Sequence, residues 1–380
     1  MKINDLDEKK CCGCMACLNA CPCSAIKIVE NKNGFIYPKI DESLCINCGL
    51  CSNVCDFNKE HETASNIEHA YSLEINDKKA LYESTSGGAF TAISDRILQN
   101  GGAVVGSIME KDFSIHHVIA KNKETRNRMR RSKYVQSDVS SVFKPIKELL
   151  DIDVPVLFTG TPCQCAAIKS YLRKDYSNLL VVDFLCHGVP NNKMFKDHIS
   201  FLEKYYGEVI LDYTFRDKVY GWDSYNNNVY LSKKRKTRLI NQAYYDFFVN
   251  NISLRPSCYN CAYRSLHRSS DITIADFWGI EKLRGKRNTK GVSLILTHSK
   301  KAVECINEIK TYAKIAEIPI EDVLYRIALK PAKCSEKADA FWEEYTKNGY
   351  QSVVTKFFPM TFSKQIRFEI RKIAKKLKLR

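Results

Sequence analysis

Eight cysteines near the start of the chain fall into two matching runs, Cys11-x2-Cys14-x2-Cys17-x3-Cys21 and Cys45-x2-Cys48-x2-Cys51-x3-Cys55, the first closed by Pro22. Three thiolates in such a run can wrap one side of a cubane, while the fourth points away and serves the other cluster. The spacing therefore predicts one [4Fe–4S] cluster on Cys11, Cys14, Cys17 and Cys55 and a second on Cys45, Cys48, Cys51 and Cys21. A zinc site of the Cys-x2-Cys kind separates its pairs by about a dozen residues or more and has no use for this doubled array. Cys12 and Cys23 lie outside the register and are expected not to be ligands. The first run ends in Cys-Pro, but the second ends in Cys55-Asp56, so a carboxylate stands where proline would fix the turn. The expected chemistry is one-electron transfer.

Four further cysteines repay attention: Cys163 in Gly-Thr-Pro-Cys-Gln (160–164), Cys186 in Cys-His-Gly (186–188), and Cys258-x2-Cys261. Cys163 and Cys186 each follow an apolar run that reads as a strand, which puts both at the ligand-binding edge of an α/β sheet. Together the four can hold a third cluster. Ordinary buried cysteines beside a zinc half-site or a redox dithiol fit the residues equally well. Ser84-Thr85-Ser86-Gly87-Gly88 runs into a predicted helix and offers amides and a dipole to a phosphate, as a plain helix cap also would. Arg126, Arg128, Arg130, Arg131 and Lys133 form a basic stretch that can face a pyrophosphate or water, and Trp278 can wall a planar ring or fill core.

These residues need elements to hold them. Ala25–Val29 and Phe35–Lys39 alternate around Asn33-Gly34, a hairpin signal that suits a small α+β bacterial-type ferredoxin domain over residues 1–60. The polar stretch 58–67 reads as a linker. Beyond it, short strand-like runs alternate with helical patterns, which predicts an α/β domain over residues 61–335. Hairpin-like pieces around 209–240 are expected to make its sheet mixed. Residues 336–380 read as a helical extension. Its end, Lys364–Arg380, places Ile366, Ile370, Ile373 and Leu377 opposite a basic face, as a packed helix or a membrane-surface helix would.

The 380 residues, 44% hydrophobic, can bury a large core. No run of eighteen apolar residues is present, and the N-terminus is polar and acidic, so neither a membrane span nor a secretory signal is expected. The 17 cysteines then favour metal thiolates in a reducing cytoplasm. The net charge is +16, but eight Lys or Arg against Glu369 put +7 of it in residues 364–380. Three clusters at roughly two negative charges each would leave the body near neutral, which argues against a nucleic-acid partner.

The ordered set of Ser-x-Ser-Gly-Gly (84–88), SKYVQS (132–137), GTPCQ (160–164), CHG (186–188), FRDK (215–218), CYNC (258–261) and ADFWG (275–279) resembles the beta-subunit family of coenzyme F420 hydrogenases and dehydrogenases. The ferredoxin module in front resembles the fusion that many members carry. The resemblance implies FAD beside an iron–sulfur cluster, with Cys163, Cys186, Cys258 and Cys261 as ligands and Ser84, Ser86, Gly87, Gly88 and Lys133 along the flavin. Ala275 stands where the family commonly has glycine. The function so implied is an iron–sulfur flavoprotein oxidoreductase that passes electrons between a ferredoxin-like carrier and a small-molecule substrate, with His187 as candidate proton donor. A non-catalytic relay subunit and oxidation of reduced coenzyme F420 are the alternatives, and the basic tail is the one feature that points to a peripheral membrane contact.

Overall fold

The computed structural model describes residues 3, 7–59, 61–222, 227–233, 235–238, 242–285, 288–324 and 330–358. The tail Lys364–Arg380 lies outside the described residues. The N-terminal part folds as α1 (Ala16–Ala20), a hairpin of β1 (Ile26–Glu30) and β2 (Ile36–Ile40), and α2 (Leu50–Asn53). Each short helix carries one cysteine of its run, Cys17 in α1 and Cys51 in α2.

The body then runs β3 (His69–Ile75), α3 (Lys78–Glu83), α4 (Ala89–Gln99), β4 (Ala103–Met109), β5 (Ile115–Ala120), α5 (Lys123–Met129) and α6 (Phe143–Asp151). It continues through β6 (Val156–Thr159), α7 (Pro162–Leu172), β7 (Leu179–Phe184) and α8 (Asn192–Tyr206). A second group, β8 (Ile210–Thr214), β9 (Asn228–Leu231), β10 (Arg235–Arg238) and α9 (Ala243–Val249), leads into β11 (Ile272–Asp276), α10 (Ile280–Arg284) and β12 (Ser293–Thr297). The chain closes with α11 (Lys300–Glu308), β13 (Ala313–Ile318), α12 (Glu321–Leu324) and α13 (Ala338–Phe357).

Eight strands make one mixed sheet in the order β13-β3-β12-β11-β7-β6-β4-β5. Its centre, β11-β7-β6-β4, is parallel, and the flanking pairs are antiparallel. The fold is thus α/β with a mixed sheet, behind a small ferredoxin-like domain. The source of the mixing differs from expectation. The 209–240 strands leave the main sheet and pair with one another as β10-β9-β8. Alternation reveals a strand but not its partner, and the strands that run against the centre are instead β5, β12 and β13.

Successive residues of the central strands bury both faces, as a parallel sheet covered on two sides requires. Val104, Leu157 and Ile295 face α4 and α11, while Val105, Phe158 and Val181 face α6 and α7. That second layer also contains Ala16, Cys17, Ile26, Ile40 and Val54, so the cysteine-bearing N-terminal part and the sheet share one continuous core. α8, α9, α13 and the small sheet form a third cluster around Phe195, Tyr244 and Phe341. β3, β4, β6, β7 and β11 all point the same way, so the loops after them open on a single edge, where α/β sheets bind ligands.

Candidate redox site

Strand β6 delivers Thr161, which caps α7 with a reciprocal Gln164 bond, and Cys163 lies in the first turn of that helix. Strand β7 ends two residues before Cys186, and a short turn of helix from Pro256 to Asn260 carries Cys258 with Cys261 just after it. All four cysteines line one cavity of about 820 Å³. They are also electrostatic neighbours: burial raises the Cys186 thiol pKa, and Cys258, Cys163 and Cys261 raise it further. Burial likewise pushes Cys258 up to about 12 and Cys261 to about 11. Thiols held neutral by burial and crowding are costly to ionise, and a polycation of iron is what makes such a group stable as thiolates.

The N-terminal cysteines group in the same manner. Cys17 is buried, and its neighbours are Cys14, Cys11 and Cys55, which mixes one member of the second run into the first set. Every cysteine is a free thiol. Among the described residues no three His, Cys, Asp or Glu side chains close on a single ion. Cys23 stays beside the second set, its Sγ 3.7 Å from that of Cys21. Cys12 does something spacing did not reveal. Its thiol lies within hydrogen-bond reach of both Cys14 and Cys163, and this contact holds Cys163 below the ordinary thiol range. The first ferredoxin set and the body set therefore meet side by side.

The same cavity reaches the glycine-rich loop before α4. Ser84, Ser86, Gly88 and Lys133 line it; Gly87 does not. Gly87 is wedged between strands: a Cβ there would sit 2.0 Å from the Leu73 carbonyl oxygen and 2.4 Å from the Ser293 amide, and its own amide donates to Ser293 Oγ at 2.9 Å. Its glycine identity follows from sheet packing. The Ser84 and Ser86 hydroxyls donate to Ala80 O and Val292 O, both at 2.7 Å, which leaves their oxygens as acceptors. Lys133 Nζ donates to the Met129 and Arg130 carbonyls at 3.1 Å, capping α5, and burial with Arg131 and Arg128 nearby lowers its pKa to about 7.

The basic stretch divides. Arg126 is buried and bonded to Asp95 at 2.7 Å, Arg128 pairs with Glu110 at 2.7 Å, and only Arg130, Arg131 and Lys133 reach the cavity. Arg216, Arg264 and Arg268 add to them from the opposite side, against a single lining carboxylate, Asp276. Asp276 is committed to Arg216 and to Trp222 Nε1 at 2.9 Å. Trp278 stacks on Trp222 with centroids 4.5 Å apart and planes 6° apart, and it lines the cavity beside Arg216. A cationic cavity lined by the start of a helix and by Trp278 could hold an anionic cofactor.

Two histidines line the cavity. His187 packs edge-on against Phe248, centroids 5.0 Å apart, and its buried Nε2 has no partner among the described residues. His117 was not foreseen. Its Nε2 must donate to the Thr159 carbonyl at 2.8 Å, and burial lowers its pKa to about 4, so Nδ1 accepts from Ser137 Oγ at 2.8 Å. Both of its nitrogens are spent on structure. Arg255, Gln136, Arg264 and Tyr263 were equally unforeseen, since nothing in a single sequence separates a buried arginine from a surface one.

Residues 154–323 match the family model for the C-terminal region of the coenzyme F420 hydrogenase/dehydrogenase beta subunit, and residues 10–59 match a 4Fe-4S dicluster domain. A comparison with curated proteins gives no match. Among solved structures, a chain of the F420-reducing [NiFe] hydrogenase complex from Methanosarcina barkeri aligns at 17% identity and a TM-score of 0.48, over 78% of this chain and 94% of that one. The protein is thus an iron–sulfur electron-transfer chain in which a 4Fe-4S dicluster domain precedes a body related to the coenzyme F420 hydrogenase/dehydrogenase beta subunit.

Proposed function

We propose that the chain is an iron–sulfur flavoprotein oxidoreductase. A ferredoxin-like carrier would meet the Cys45–Cys51 side, and electrons would cross the two ferredoxin clusters and the body cluster to FAD and a small-molecule substrate. The observation that carries this reading is continuity. One cavity is lined by Cys163, Cys186, Cys258 and Cys261 at one end and by the Ser84–Gly88 loop at the other, and Cys12 links the first ferredoxin set to Cys163. FAD supplies the exchange between single electrons and a two-electron hydride. The chain's own residues would bind and orient. The start of α4 and the Arg131 guanidinium would take the pyrophosphate, and the Trp278 face would flank a ring. His187, whose buried Nε2 has no hydrogen-bond partner among the described residues, is the candidate to hold a proton. Excess positive charge in the cavity also favours an anionic substrate, and reduced coenzyme F420, the molecule in the family's description, is one such candidate.

The test is composition. Anaerobically purified protein should contain about twelve irons and as many labile sulfides per chain, and denaturation should release FAD. Replacing Cys186 and Cys261 by serine should leave about eight irons with the ferredoxin signals intact. Colourless protein, or iron without flavin, would reject the flavoenzyme reading.

A further inference from the structure

The chain buries several arginines, and all but one meet a carboxylate. Arg126 bonds Asp95, Arg216 bonds Asp276, and Arg268 lies 3.6 Å from Asp183. Arg255 is the exception. It is fully buried, and its three hydrogen bonds go to neutral oxygens: Nε to Cys11 O at 2.8 Å, Nη1 to Gln136 Oε1 at 2.9 Å and Nη2 to Ile36 O at 2.9 Å. Its guanidinium lies 4.3 Å from the Tyr37 ring centroid. Among the described residues no carboxylate pairs with it. A guanidinium cannot shed its proton at any ordinary pH, so its burial demands a counter-charge.

Position identifies that counter-charge. Arg255 stands three residues before Cys258 and hydrogen-bonds the backbone of Cys11, so it joins the first ligand of the ferredoxin run to the loop of the body cluster. Its charge lowers the thiol pKa values of Cys11 and Cys14 on one side and of Cys163 and Cys258 on the other. Gln136 fixes it from behind, donating through Nε2 to Cys12 O at 3.0 Å while its Oε1 takes the arginine. Packing is tight enough that a Cβ on Gly13 would lie 3.0 Å from the guanidinium carbon.

Resting on the cluster assignments above, we propose that Arg255 is a positioning residue that sets the potentials of the two clusters facing each other at this junction, those of Cys11/Cys14/Cys17/Cys55 and Cys163/Cys186/Cys258/Cys261. Reduction adds one negative charge to a cluster, and a nearby fixed cation stabilises that added charge. The step it serves is the passage of one electron from one cluster to the other. No bond forms or breaks and no proton moves. None of the three Arg255 hydrogen bonds goes to Cys21, Cys45, Cys48 or Cys51, and that cluster should keep its own potential.

The test is a redox titration of the full-length, cluster-loaded protein, followed by electron paramagnetic resonance. In Arg255→Gln the midpoint potentials of two of the three iron–sulfur signals should fall while the third stays. Arg255→Lys should retain part of the wild-type values. Gln136→Glu sets a carboxylate against the guanidinium without removing it, and should lower the same two potentials. If the Arg255→Gln protein loses iron, the Gln136→Glu result decides. Unchanged potentials, or an equal shift of all three, would overturn the proposal. A wild-type protein with fewer than three clusters would instead reject the assignments on which it rests.

Discussion

At the scale of single residues, the departure from Cys-Pro at the end of the second run acquires a reason. Asp56 accepts a hydrogen bond from Tyr263 Oη at 2.6 Å, and Tyr263 lines the cavity two residues after Cys261. A proline at this position would keep the cysteine turn and lose the tie to the body. Burial raises the Tyr263 pKa, so its hydroxyl stays a donor. A double-mutant cycle of Asp56→Ala and Tyr263→Phe, followed by anaerobic urea unfolding, should give a coupling of about 2 kcal/mol, the usual worth of a hydrogen bond to a charged group. A coupling near zero would mean that this pair does not tie the ferredoxin domain to the body. The sequence marked Asp56 as unusual but had no means to name Tyr263. The cysteines were legible because ligand spacing is local. Arg255 and Cys12 were not, because their meaning lies in what the fold brings beside them. Gly87 was misread for the same reason: a glycine demanded by a neighbouring strand looks like one demanded by a ligand.

At the scale of elements, the site depends on loops that leave five like-directed strands on one edge. Strand and helix positions along the central sheet were legible from alternation and helical periodicity, with small shifts that have local causes. Strand β6 starts after Pro155, which has no N–H for the ladder, and α6 starts late enough to hold Pro145 in its first turn. Strand β13 gives little sequence signal because, on the sheet edge, half of its side chains are exposed and the alternation is weak. Helix α9, with Tyr244, Phe247 and Phe248 buried among only seven residues, has no polar face to betray its period. The closest fit in the sheet is at Gly87. Gly87→Ala must push backbone apart between β3 and β12, and should cost about 4 kcal/mol or prevent folding. Gly101 also has positive φ, at +71°, but a Cβ there meets nothing within 4 Å. Gly101→Ala should cost about 1 kcal/mol, the backbone term alone. Equal losses at the two sites, measured by urea unfolding, would show that strand packing is not what Gly87 serves.

At the scale of the whole molecule, the two ferredoxin sets differ in depth. Cys17 is buried against α6 and α7 and Cys11 against Phe35 and Tyr37, whereas Cys48 is exposed and flanked by Leu44 at 49% and Ile46 at 65% exposure. Exposure falls from the Cys45–Cys51 loop to the Cys11–Cys17 loop, and the half-buried body cysteines wall the cavity. Cys48 is the exposed member of the three cysteine sets, so under the proposed function a carrier would deliver electrons there, with the junction at Cys12 and Arg255 as the inner crossing. The same gradient governs access by a chelator. Anaerobic treatment of the loaded protein with a bulky iron chelator should release iron in two phases, the fast one about a third of the total. Cys48→Ser protein should lack that fast phase and keep the slow one. Release in a single phase, or a fast phase that survives in Cys48→Ser, would place the exposed end of the path elsewhere.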